Sequence, residues 1–157
     1  MKRTPTAPAA ALAALLALLA VGCGGGETRS PSATPVPQGA IRAARSIGDT
    51  AKASAAPGAM APTSAEVVLT TCQKAIDLVG LPETPPARDA STPCYLVQVR
   101  GDFINFAYKG PQPPTPTGVA VFGTVEVETG EVIGLRVGTK PRDLSSLGEV
   151  WTLPLAD

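Results

Sequence analysis

From Thr63 to Val79 apolar side chains recur at Val68, Cys72, Ala75, Ile76 and Val79, the three-and-four spacing of one helical face. Thr63-Ser64-Ala65-Glu66 fits a capping box ahead of it, in which the hydroxyl takes an orphan backbone N–H and the carboxylate reaches back. Gly80 stands where a left-handed terminal residue belongs, with Leu81 placed to fold back on Ile76 and Pro82 forbidding continuation. These signals predict a helix from Thr63 to Val79. Strand propensity competes over Val67–Thr71, where four of five residues are β-branched.

From Tyr95 the period shortens to two: Tyr95, Val97 and Val99 alternate with Leu96, Gln98 and Arg100, which predicts a strand. Gly101-Asp102 is either a hairpin turn into Phe103–Tyr108 or a bulge within one long strand. Four prolines between Lys109 and Gly118 demand a loop. Val119 to Glu128 is a second alternating segment with Val119, Val121, Val125 and Val127 on one side, and Glu128-Thr129-Gly130-Glu131 turns the chain into Val132–Val137. Trp151, Leu153 and Leu155 form a tail that packs on the sheet edge or offers an aromatic anchor to a partner. The order predicts an α+β domain over 63–157, one N-terminal helix packed on a three- or four-stranded antiparallel sheet in two layers.

The N-terminal part follows other rules. Lys2 and Arg3 precede an unbroken run of 13 Ala, Leu and Val residues, Ala9 to Val21, with small Ala20 and Gly22 before Cys23. Residues 1–22 thus have the layout of a secretory signal peptide. The run falls short of the roughly 20 apolar residues that span a bilayer. Residues 24–62, rich in Gly, Ser, Thr, Ala and Pro, have few large apolar groups to offset ordering entropy, so 23–62 reads as a disordered linker headed by Cys23. Within it, Gln38–Ala56 carries an alternative: a basic helix with Ile41, Ala44 and Ile47 on one side, interrupted by Gly48.

Charge narrows the chemistry. The chain is formally neutral, but residues 63–157 hold seven cations against eleven anions and no basic run, which argues against nucleic acid as a partner. Histidine is absent, removing the commonest general base and metal ligand together. No serine lies in a Gly-x-Ser-x-Gly context, so no catalytic residues are assigned and no enzyme is expected. Neither a cofactor nor a metal centre is expected, since two cysteines without histidine fall short of a zinc site. Glu126 and Glu128, two apart on a strand, with Glu131 beyond the turn, form a candidate ligand-binding set, or simply the wet side of a half-exposed sheet. Arg136, Lys140 and Arg142 are either a small anion site or a solvated rim.

Leu19-Ala20-Val21-Gly22-Cys23 resembles the lipobox of bacterial lipoproteins, with Ala20 where that motif usually has Leu. The resemblance implies a diacylglyceryl group on Cys23, cleavage before it, and anchorage on the extracytoplasmic face of the cell membrane. Two acyl chains suffice for stable anchoring. Ala20-Val21-Gly22 also suits the ordinary signal peptidase, which would release a soluble product. With Cys23 lipidated, Cys72 and Cys94 remain as an even pair, a disulfide or two buried thiols. Glu126-Val127-Glu128-Thr129-Gly130-Glu131-Val132 resembles the strand-turn-strand piece of PepSY-type domains, and 64–140 is similar to small lipoproteins of high-GC Gram-positive bacteria. That likeness implies a binding or inhibitory module with no catalytic residues. The expected function is a membrane-anchored, non-enzymatic interaction or accessory module with an envelope protein as possible partner. The alternative is a solute- or metal-binding lipoprotein using the acidic sheet face.

Overall fold

The computed structural model describes residues 34–80, 89–104 and 117–155. The segment expected as a signal peptide and Cys23 lie outside the described residues. Thr34 onward forms one compact unit. Along the chain run α1 (Gln38–Ala53), β1 (Ser64–Thr71), α2 (Cys72–Val79), β2 (Pro93–Phe103), β3 (Gly118–Glu126), β4 (Val132–Gly138), a 3-10 turn at Ser145–Leu147, and β5 (Val150–Pro154). The five strands form one antiparallel sheet in the order β4-β3-β2-β1-β5. The α+β class stands, with more strands than the three or four expected.

The stretch expected as a linker is corrected over its second half. Residues 38–53 are helical, and Ala40, Ala43, Ala44, Ile47, Gly48 and Ala51 form a continuous buried face. These are small residues at helical spacing, so the helix backbone approaches the sheet closely. Gly48 does not interrupt the helix; it admits the side chain of Leu155, which a Cβ there would overlap. Gly123 on β3 does the same for Ile47. The chain after α1 is pinned as well: Ile104 N–H donates to Ser54 C=O and Ala56 N–H to Asp102 C=O, both at 2.9 Å.

The helix expected from Thr63 to Val79 divides in two. Its β-branched first half is β1, which pairs with β2 on one side and β5 on the other. Central position in a sheet outweighs the capping signal, because Val67 and Val68 are both fully buried, one on each face. Glu66 is consequently a strand residue, and the helix N-cap is Thr71, whose hydroxyl accepts the Lys74 N–H at 3.4 Å. The expected stop holds: Gly80 is left-handed (φ 63°, ψ 43°) and its N–H donates to Ile76 C=O at 2.8 Å.

The sheet is covered on both faces, which corrects the two-layer expectation. One face buries Ala65, Val67, Tyr95, Val97, Val99, Val121 and Val125 beneath α1. The other buries Val68, Leu96 and Phe122 against Ala75 and Val79 of α2 and Leu144 of the following loop. Of the four valines placed on one side of β3, Val121 and Val125 are buried, whereas Val119 and Val127 at the strand ends stay about two-fifths exposed. Gly101-Asp102 is a bulge, not a hairpin: β2 continues to Phe103 with a register shift after Arg100. The tail becomes edge strand β5, pairing Trp151 with Val67.

Candidate functional site

Cys72 opens α2 and Cys94 lies at the start of β2, with Cα atoms 5.0 Å apart in a disulfide. Both are buried, so the bond staples the β1–α2 junction to the neighbouring strand inside the fold.

Of the acidic set, Glu126 ends β3 while Glu128 and Glu131 flank the β3–β4 turn. The structure does not bring the three into a cation site: among the described residues no group of three or more acidic or thiol side chains could hold a metal ion. Glu126 is committed to the turn. Its carboxylate accepts the Thr129 hydroxyl at 2.8 Å, its N–H donates to Glu131 C=O, and Thr129 also accepts the Glu131 N–H at 3.2 Å. Gly130 closes the turn with φ 72°, a left-handed position that glycine accepts without strain.

Glu126 and Glu128 instead border a cleft of about 340 Å³ between α1 and the β3–β4 turn. Arg42 and Ser46 of α1 supply one wall, Val127, Glu128 and Gly130 the other, and Tyr95 of β2 also lines the cleft. Tyr95 is only 5% exposed, and its ring and hydroxyl lie against Gly39, where a Cβ would come within 2.8 Å of the ring and 2.9 Å of the oxygen. Among the described residues the Tyr95 hydroxyl, the Arg42 guanidinium and the Glu128 carboxylate each lack a hydrogen-bond or ion-pair partner. Arg42 and Tyr95 were not singled out as site residues from the sequence. They are 53 positions apart, and only the packing of α1 on the sheet joins them.

The other face carries a second polar assembly. Fully buried Gln98 clamps the loop after β4: its carbonyl accepts the Arg142 N–H at 2.6 Å, and its amide donates to Arg142 C=O at 3.1 Å and to the Glu66 carboxylate. Arg100 donates to both oxygens of Glu66 at 3.0 Å. Glu66, Arg100 and Arg142 border a shallow cleft of about 440 Å³ with Asp143 and Ser145. Here Glu66 and Arg100 satisfy one another as an ion pair. Asp143 caps its own turn, and the Ser145 hydroxyl and N–H hold its carboxyl below the ordinary carboxylate range. Ser91 does the same for Asp89.

The candidate anion site is not assembled as one. Arg136 donates to the Val79 and Gly80 carbonyls at 2.6 and 2.5 Å, completing the C-terminal end of α2. Arg142 contributes backbone groups to the Gln98 clamp. Trp151 is half-buried against the core under α1 rather than displayed as an anchor. Among the described residues no helix is long and apolar enough to cross a membrane. No family model, curated protein or solved structure matches the chain.

Proposed function

We propose that the chain is an exported lipoprotein, held at the extracytoplasmic face of the cell membrane by lipid on Cys23. Its folded unit serves there without catalysis, as an interaction or accessory module of the envelope. The observation that carries this reading is cysteine arithmetic in three dimensions. The fold consumes Cys72 and Cys94 in one buried bond, and the remaining cysteine of three is the one at the lipobox position. A disulfide within the fold suits an oxidising compartment, the destination that a signal peptide implies. The absence of histidine from the whole sequence supports a role outside acid–base catalysis.

Mass spectrometry of the purified N-terminus, wild type against Cys23→Ala, tests the anchor. The expected result is a mature chain beginning at a diacylated Cys23, and an uncleaved or shed product for the variant. A wild-type protein that begins elsewhere, or is shed into the medium with a bare thiol, refutes it. Cross-linking in intact cells followed by detergent extraction tests the role. Repeated recovery of one envelope protein is expected, and none at all counts against an interaction module.

A further inference from the structure

We infer that the cleft between α1 and the β3–β4 turn binds a small zwitterion with an aliphatic body, of the α-amino-acid class. The inference goes beyond membrane anchorage and does not depend on it. Three groups with no partner among the described residues converge on this cleft: the cation of Arg42, the anion of Glu128 and the hydroxyl of Tyr95. Tyr95 is the informative member. Its ring is buried, and its hydroxyl reaches the cleft at Gly39, itself a cleft residue, where water or an entering ligand can bond it.

The charges define the ligand. Arg42 and Glu128 border the same space without pairing with each other, so an occupant carrying both signs would engage each. A guanidinium presents a planar fork that matches a carboxylate, and a carboxylate accepts from an ammonium group. Between them Val125, Val127 and Ala43 offer an apolar wall, and Val127 leaves 37% of its surface uncovered there. At about 340 Å³ the cleft lies at the small end of ligand sites, which favours a single amino acid over a folded partner.

The test is an amide NMR titration of the full chain with L-leucine, using isocaproate and isoamylamine as analogues that keep the body and lose one charge. Leucine should give saturable shifts centred on Ser46, Tyr95 and Gly130, with Kd of about 1 mM or tighter. Each analogue should bind about tenfold more weakly or worse, and so should leucine to Arg42→Gln or Glu128→Gln. Both substitutions are at exposed positions, and Tyr95→Phe removes only the hydroxyl, so folding is retained and checked in the same spectra. Absence of saturable shifts beyond millimolar leucine overturns the inference. So does equal binding of either analogue, which would mark a plain anion or cation site. Leucine affinity unchanged in the variants would place binding elsewhere.

Discussion

Packing of α1 against β3 is open to a double-mutant cycle on Ile47 and Gly123. Ile47 is fully buried, and its side chain fills the space over Gly123 that a Cβ would occupy. Ile47→Ala removes three carbons, a transfer loss of about 2.5 kcal/mol at roughly 0.8 kcal/mol per buried carbon. The cavity adds about 1 kcal/mol, because β3 is held between β2 and β4 and collapses little. The single substitution should therefore cost about 3–4 kcal/mol. Gly123→Ala alone drives a methyl into Ile47 and should cost about 1–3 kcal/mol by overpacking. Together the changes compensate, since the new methyl enters the space that Ile47 vacates. The double variant should be more stable than the sum of the singles by at least about 1 kcal/mol. Urea unfolding of the full chain, followed by fluorescence of its single tryptophan, Trp151, measures all four species with the disulfide intact. Additivity to within about 0.5 kcal/mol would show that the two residues do not meet. An Ile47→Ala variant as stable as wild type would return residues 38–53 to the role of a linker.

Two further predictions concern the disulfide and one turn. Replacing Cys72 and Cys94 together by Ser should lower stability by about 3 kcal/mol, given the separation of 22 residues. Urea unfolding in the absence of reductant reads this, and a loss below about 0.5 kcal/mol would mean that the bond constrains nothing the fold does not already hold. Asp143 has a folded pKa below its ordinary 3.8, so its contribution is present above that value and is lost as pH falls through the depressed folded pKa. Protection of the Ser145 amide should accordingly hold near neutrality and fade only below about pH 4, and Asp143→Asn should abolish this pH dependence. Fading already between pH 5 and 7 would contradict the assignment.

What could be read from sequence depended on how strongly each element advertised itself. The Gly80 stop, the alternation through Tyr95–Val99 and the Thr129-Gly130 turn are local signals, and each appears where local chemistry puts it. Helix α1 advertises little. Its buried face is mostly alanine and glycine, so composition resembles a linker, while its value to the fold is close approach rather than large apolar area. For β1, local capping and β-branched propensity disagreed, and burial on both faces decided in favour of the strand. β5 is five residues long and exists through its partner β1. The cleft follows the same division. Glu126 and Glu128 were visible as neighbours on one strand end, whereas Arg42 and Tyr95 join them only through tertiary packing.

Incorporating α1 into the fold also changes what an anchor at Cys23 would do. With the linker read as 24–62, the domain could stand off by about 130 Å at full extension, at roughly 3.3–3.6 Å per residue. With the compact unit beginning at Thr34, only residues 24–33 intervene, and their limit is about 35 Å. α1 follows directly on that end, and Gly39 and Arg42 in its first two turns border the cleft. On the proposed anchor at Cys23, the chain would thus be tethered at the end that carries the cleft, within the reach of that short segment.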